Sequence, residues 1–303
     1  MKIRDSVAFV TGETEPSVLV FAQETARCRA RLKKEKNMGN FDSKISARVG
    51  GGPVGIDAAP ASIPVLARVP AWAAAMRRVT DYLVNDFAGG PRPWKFAWVI
   101  NFQKTGTFPL LGFLIAWYHN TSTAAWIYLA MHGSYGLVWI IKDVTFPDST
   151  WQRRVTIGGG INAFVSVLGW YWVFGWLLIS GVSQPTYPLP DYAWFCLCIS
   201  LCILGSVTMI AADAQKYFTL RVKRGLITDG MYRYIRHPNY LGEMMIYGSF
   251  ALMVWHWLPF VVLAWVWSGL FAVNMALKEA SMSRHPEWAE YKRRSWWLLP
   301  PIL

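Results

Sequence analysis

One short stretch of the chain collects polar side chains that can bind a ligand around a single proline, and long apolar segments lie on both sides of it: Arg236, His237, Asn239, Tyr240 and Glu243. Proline is favoured at the first position of a helix, so Pro238 predicts a helix start there. The free backbone N–H groups of that first turn, together with Arg236, form a site that attracts phosphate. The pattern therefore predicts an anion-binding site at a helix N-terminus.

The spacing of these residues also places them together on the predicted helix. His237 and Tyr240 are three residues apart, and Asn239 and Glu243 are four apart, so the members of each pair share one face. Basic residues at a membrane edge often do no more than set topology, and this accounts for Arg233. Topology requires neither a histidine nor a carboxylate, so the pattern favours one polar cavity lined by both pairs.

The elements that must position this site are apolar helices. The chain has 303 residues, of which 54% are hydrophobic and 16% aromatic, and 18 are tryptophan. This composition is typical of a polytopic membrane protein. About six segments have the length of about 20 residues that a bilayer core needs, with approximate bounds Lys95–Tyr118, Ser122–Ile141, Val155–Gly181, Tyr192–Ala212, Met244–Trp257 and Leu258–Ala276. The sequence thus predicts an all-α, polytopic bundle of about six transmembrane helices. The last two segments are predicted as a short helical hairpin or as one kinked passage.

Lysine and arginine placement predicts the orientation of these spans. Basic residues precede the first span and fill alternate connections, whereas the connections at 119–121 and 182–191 contain none. Positively charged loops stay cytoplasmic, so both termini are predicted to be cytoplasmic.

The net charge of +12 raises the question whether the protein binds nucleic acid. The basic residues lie beside apolar spans and form no nucleic-acid motif, which argues against that partner. The spacing of the four cysteines predicts no metal site.

The first ninety residues differ from the rest, and we predict two regions, a polar one at 1–90 and a membrane domain at 91–303. Residues 48–70 have a linker composition, and the apolar positions from Trp72 to Leu83 have the spacing of a short amphipathic helix on the membrane surface. The segment Met38-Gly39-Asn40-Phe41-Asp42-Ser43 fits an N-myristoylation pattern if translation starts at Met38 rather than at Met1. Both starts stay open.

The stretch from Gly230 to Glu243 resembles the signature of the steroid 5-alpha-reductase and sterol-reductase superfamily, to which the isoprenylcysteine carboxyl methyltransferases are more distantly related. Further motifs carry the same resemblance, which extends over about 94–303: Lys142-Asp143-Val144-Thr145-Phe146-Pro147-Asp148, Asp213-Ala214-Gln215-Lys216, Lys278-Glu279, Trp288, Tyr291 and Arg294. The family pattern has an arginine one helical turn before its C-terminal acid. Here Met275 occupies that place, so one cofactor contact is missing or replaced.

The resemblance implies an NADPH site. It implies Arg236 and His237 near phosphates, and Asn239, Tyr240 and Glu243 on ribose or amide groups. Lys216, with Arg221, Lys223 or Arg224, is the expected clamp for the 2′-phosphate, and a solvated cytoplasmic loop is the alternative. Glu279 is expected either to accept from a cofactor hydroxyl or to pair with Arg236.

A reductase also needs a group that polarises the acceptor and delivers a proton. Ionisable residues inside a membrane span are costly, which singles out Lys104, His132 and Tyr135 in the early spans. We expect His132 and Tyr135, which share a helical face, to be catalytic. An interhelical hydrogen bond or aromatic packing is the alternative explanation.

The leading functional hypothesis is an NADPH-dependent reductase of a C=C bond in a steroid, sterol or related lipid, an oxidoreductase of the endoplasmic reticulum membrane. Its partners would be the bilayer and a hydrophobic lipid substrate. One alternative is an S-adenosylmethionine-dependent methyltransferase of the isoprenylcysteine carboxyl methyltransferase type. Another is a non-catalytic membrane scaffold. The sequence leaves the identity of the lipid and the oligomeric state open.

Overall fold

The computed structural model describes residues 69–299, and most of them are helical. We number the helices in chain order and count a helix as continuous where it passes through a π-helical turn: α1 (Ala71–Asp81), α2 (Phe96–Trp117), α3 (Thr123–Thr145), α4 (Ile157–Leu168), α5 (Trp170–Ile179), α6 (Asp191–Val222), α7 (Pro238–Val254), α8 (Trp257–Met282) and α9 (Trp288–Arg294). Two short strands, β1 (Trp94–Lys95) and β2 (Arg154–Val155), pair antiparallel. The expected all-helical class is confirmed apart from this strand pair.

Helices α3, α6 and α8 are long and apolar enough to cross a membrane. Helices α4 and α5 are bent by 41° relative to each other and together make a fourth candidate span. Six spans are not confirmed. Helix α2 has 22 residues but contains Asn101, Gln103 and Lys104, and α7 has only 17 residues. The long apolar helices are those of an integral membrane protein, in contact with lipid.

The ends of two predicted spans differ from the sequence-based bounds. Helix α7 begins at Pro238, as the proline predicts, and ends at Val254. Trp255 then takes a left-handed conformation with φ 45°, and α8 begins two residues later. The chain therefore breaks between two separate helices. At Trp255 the break uses a backbone region that non-glycine residues rarely adopt.

Helices α6 and α7 form the most extensive helix pair of the fold. Their closest approach is at two glycines, because a Cβ on Gly205 would lie 2.7 Å from the carbonyl oxygen of Gly242. A Cβ on Gly242 would in turn lie 2.6 Å from the backbone oxygen of Gly205 and the backbone nitrogen of Met209. Small residues at such positions let two backbones approach closely. This contact fixes α7, which carries the polar motif.

The predicted amphipathic helix is present as α1 and packs on α8, where Arg77 Nη1 donates to Asn274 Oδ1 at 3.1 Å. Trp72 and Val79 are more than half exposed. The linker at 48–68, the Met38 start and the acylation pattern lie outside the described residues. In α6 Cys198 and Cys202 are buried, whereas Cys196 is exposed.

Candidate functional site

The polar motif is held in place from three sides before α7 begins. Gln215 of α6 accepts from the backbone N–H of Met231 at 2.8 Å and donates to the carbonyl of Asp229 at 3.1 Å. Tyr291 of α9 donates to the carbonyl of Tyr232 at 2.6 Å. The C-terminal segment then pairs with the motif like a strand, since Arg236 N–H donates to the carbonyl of Trp296 at 2.8 Å.

Arg236 and His237 both bind the carboxylate of Glu279 on α8. Arg236 Nε lies 2.7 Å from Glu279 Oε1, and His237 Nε2 lies 3.1 Å from the same oxygen. Arg236 also donates to the backbone oxygen of Ser295. Of the two roles expected for Glu279, the pair with Arg236 is the one observed. These side chains tie α7, α8 and the C-terminal segment together.

His237 is almost fully buried at the start of α7. Burial lowers the pKa of His237, and the hydrogen bond to the Glu279 carboxylate counteracts only part of that effect. The histidine is therefore neutral near pH 7, and one ring nitrogen is hydrogen-bonded to the carboxylate. A neutral imidazole in this place is an anchor or a hydrogen-bond donor rather than a second positive charge.

The next part of the motif has free hydrogen-bonding groups. Three polar side-chain groups lack a hydrogen-bond partner within residues 69–299: the amide of Asn239, the hydroxyl of Tyr240 and the carboxylate of Glu243. Asn239 and Tyr240 are buried, and Glu243 is partly buried. Lys278 lies beside them, with Nζ 4.4 Å from the centre of the Tyr240 ring. Buried polar groups are normally hydrogen-bonded. A cluster of free donors and acceptors at one place is thus suited to a polar ligand.

Charged residues from neighbouring helices surround this cluster. Lys142 of α3 forms an ion pair with Asp213 of α6, and both are largely buried. Glu243 interacts electrostatically with Lys142, Asp213 and Lys278. Buried charges of this number are costly unless they compensate one another or a ligand. The arrangement can accept a ligand that carries both charge and hydroxyl groups.

Lys216 lies at the edge of this charged region, 3.8 Å from Asp148. Burial opposes ionisation of Asp148, but Lys216 and the hydroxyl and amide of Thr150 outweigh it and hold the pKa of that carboxyl below its usual value. Arg221 is exposed and does not join the cluster. Its Nη1 lies 3.2 Å from Tyr217 Oη, which is its sole hydrogen-bond partner in the part of the chain that the structure describes.

The two residues expected to be catalytic, His132 and Tyr135 of α3, lie in an aromatic core beside the middle of α7. The ring of His132 stacks on Phe250 at 4.3 Å and its Nδ1 is 3.1 Å from Tyr128 Oη. Tyr135 packs on Phe250 at 6.1 Å. At 1.5 Å rise per residue, Phe250 is about 15 Å along α7 from Tyr240. The structure thus places Asn239, Tyr240 and Glu243 on the first two turns of α7, whereas His132 and Tyr135 of α3 pack against a later part of the same helix.

Lys104 of α2 is the charged side chain of this core. It is 2% exposed, and Nζ donates to the hydroxyl of Tyr247. Four rings surround the amine at 4.7 to 5.6 Å: Tyr135, Trp139, Tyr171 and Tyr247. Aromatic faces attract a cation and so stabilise the ammonium form of Lys104, which has no ion pair with a carboxylate within residues 69–299.

Sequence reasoning did not identify several residues of this region. Tyr247 follows Glu243 by one helical turn, so the spacing of polar groups on α7 contained a signal for it. Lys278 had a signal too, because it precedes Glu279 in the motif. No local signal pairs Lys142 with Asp213, because the two residues are on different helices.

Residues 92–295 match a family described as "Protein of unknown function (DUF1295)". The chain belongs to the DUF1295 family. The matched range contains the described part of the chain from β1 to the start of the C-terminal segment, including the whole polar motif.

An uncharacterised protein of Schizosaccharomyces pombe is 37% identical over 49 residues, which are 16% of this chain. The chain covers 18% of the length of that relative. Neither the DUF1295 family description nor this short match specifies an activity.

Proposed function

We propose that this DUF1295 protein is an NADPH-dependent reductase of a C=C bond in a steroid, sterol or related lipid. The observation that carries the proposal is the cluster of unpaired, largely buried groups at Asn239, Tyr240 and Glu243, beside Lys278. A dinucleotide offers hydroxyl, amide and phosphate groups, and this donor set matches all three. The resemblance of the motif to the sterol reductases points to the same cofactor.

The residues fit NADPH in a specific way. Asn239 and Glu243 have the amide and carboxylate that bind ribose hydroxyls or a carboxamide, and Lys278 has the charge for a phosphate. Lys216, on the edge of the site, is the side chain for the 2′-phosphate, whereas Arg221 points to Tyr217. Arg236, His237 and Glu279 support the start of α7 and thereby orient Asn239 and Tyr240. When bound, NADPH supplies hydride.

The aromatic core supplies the other requirements of such a reaction. It excludes water, which strengthens hydrogen bonds to a reacting group. Four buried side chains of this core can carry an exchangeable proton: Lys104, His132, Tyr135 and Tyr247. One of them delivers a proton to the carbon next to the carbon that receives hydride. The apolar helices place this core in a membrane, where a lipid substrate is dissolved. An endoplasmic reticulum location with cytoplasmic termini is part of this proposal.

Binding of radiolabelled cofactors to the detergent-purified protein tests the proposal. We expect saturable binding of NADPH that Glu243→Gln weakens, and no binding of S-adenosylmethionine. Arg233→Gln, which removes an exposed charge beside the motif, is the matched control and retains wild-type affinity. Saturable S-adenosylmethionine binding would replace the reductase by the methyltransferase. Binding of neither compound would favour a scaffold.

A further inference from the structure

An apolar groove of about 500 Å³ lies between the first turns of α2 and α4. It is distant in sequence from the polar motif, and its lining is aromatic and aliphatic: Trp94, Trp98, Phe102, Gly160, Ile161 and Phe164. Sites for small ligands have volumes of about 300–1,000 Å³. The groove has the size and surface of a site for a hydrocarbon chain.

A run of three glycines lies at the start of α4, and the third of them, Gly160, lines the groove. Gly158 and Gly159 pack against backbone oxygens, since an added Cβ would lie 2.6 Å from the carbonyl of Phe87 and 2.2 Å from that of Val84, respectively. Gly160 instead faces the groove, where a Cβ would lie 3.0 Å from the Trp94 ring. All three glycines thus serve close packing, and the third lets the Trp94 ring lie directly against α4.

The wall of the groove is a fixed aromatic cluster. The rings of Phe102, Phe164 and Trp172 lie 5.2 to 5.8 Å from one another. The indole of Trp172 donates to Thr107 Oγ1 at 2.9 Å, which holds the ring in position. A wall of this kind keeps its shape without a ligand, so little ordering cost accompanies binding.

Basic residues gather at the strand pair from which both helices start. Lys95 stands opposite Arg154 across β1 and β2, and Arg153 and Arg92 are adjacent to these two. Arg154 Nη1 donates to the carbonyl of Pro93 at 3.0 Å, which holds its guanidinium next to Trp94. Among the described residues, Asp86 is the one carboxylate in contact with these four, through Arg92. The basic end therefore has a surplus of positive charge.

We propose that this groove binds an anionic glycerophospholipid, with one acyl chain along Trp98, Phe102 and Ile161 and the phosphate on Arg153 and Arg154. Scattered apolar residues are ordinary on a lipid-facing surface, and basic loops are ordinary at its edge. The distinctive feature here is a concave apolar groove that begins at Trp94, in the strand pair that also contains Lys95 and Arg154. Basic pockets beside membrane helices bind anionic headgroups by the same chemistry. The proposal is independent of the cofactor and of the reductase activity.

Photo-crosslinking tests the site. The full-length protein, reconstituted in phosphatidylcholine vesicles, receives a trace of phosphatidylglycerol with a diazirine in its acyl chain, and peptides are mapped by mass spectrometry after illumination. We expect labelling on residues 94–102 and 157–164, and we expect unlabelled phosphatidylglycerol to compete better than unlabelled phosphatidylcholine. Each arginine near a membrane surface contributes about fivefold, so Arg153→Gln with Arg154→Gln should reduce this preference about 25-fold.

Two further variants separate the acyl site from general membrane charge. Arg224→Gln with Arg233→Gln removes two exposed positive charges elsewhere and should leave the labelling unchanged. Gly160→Leu fills the groove and should remove the labelling of residues 94–102 and 157–164. If that protein does not fold, Ile161→Trp fills the groove from an exposed position without backbone contact and decides the matter. Equal competition by the two lipids, unchanged labelling in the filled groove, or better competition by cholesterol would overturn the proposal.

Discussion

The two halves of the polar motif differ in how their hydrogen bonds are used. The side chains of Arg236 and His237 bind the Glu279 carboxylate, and Arg236 also donates to the backbone oxygen of Ser295, so they connect three parts of the fold. Within the described residues no side-chain hydrogen bond is made by the three polar residues on the first two turns of α7, Asn239, Tyr240 and Glu243. A contiguous motif thus combines an anchor with a second part whose polar side chains are free and which we propose faces the ligand. Residues of both kinds have the same appearance in a sequence, but their substitution should have different effects.

The largest effect is expected on stability, from Arg236→Ala. Removing one partner of a buried ion pair leaves Glu279 uncompensated, and this costs about 3–5 kcal/mol. Thermal unfolding in detergent measures the loss, with the exposed Arg233→Ala as control. The variant Arg236→Ala with Glu279→Ala should be less damaged than the sum of the two single variants. Additive losses would show that the two side chains do not act as a pair.

A second effect on stability is expected from Gly242, the glycine of α7 that lies closest to the backbone of α6. Gly242→Ala should destabilise the protein by about 1–3 kcal/mol, because the new methyl group meets backbone atoms of Gly205 and Met209 that cannot move independently. Gly248→Ala on the same helix is the matched control, since its Cβ would meet only the Trp267 ring at 3.9 Å. Equal melting temperatures for the two variants would contradict the close helix approach.

The ligand-facing half should affect binding instead. Glu243→Gln keeps the shape of the side chain and removes its charge, so we expect NADPH affinity to fall by about 1.5–3 kcal/mol, the contribution of a hydrogen bond to a charged group. The melting temperature without cofactor should not fall. Titration of the purified protein with NADPH measures the affinity. A loss of stability as large as that of Arg236→Ala would remove the distinction between the two halves.

The smallest effect concerns pH. Because burial lowers the pKa of His237 in the folded protein, the unfolded chain binds a proton more readily. The contribution of neutral His237 is therefore present above its ordinary value of about 6.5 and is lost as the pH falls below it. The melting temperature should decline from pH 7 to pH 5, and less so in His237→Gln. Parallel curves for the two proteins would show that other groups control this range.

Several features were predictable because their signals are local. Pro238 indicated the start of α7, and the spacing from Trp72 to Leu83 indicated α1. Apolar runs indicated α3, α6 and α8 as long helices of a membrane protein. The number of spans was less predictable. Composition does not show whether polar residues such as Gln103 and Lys104 face lipid or a protein core.

The sequence by itself determined the helical membrane class, the helix start at Pro238 and the group of polar residues around it, because helix signals and hydropathy act over a few neighbouring residues. Only the tertiary structure decided which of those residues are anchors. Glu279 is more than forty positions from Arg236 and His237, and Lys104 reaches Tyr247 from another helix. Such contacts depend on how closely the helices pack. The distance between the α6 and α7 backbones is set by Gly205 and Gly242, and only the tertiary structure shows that these two glycines lie opposite each other.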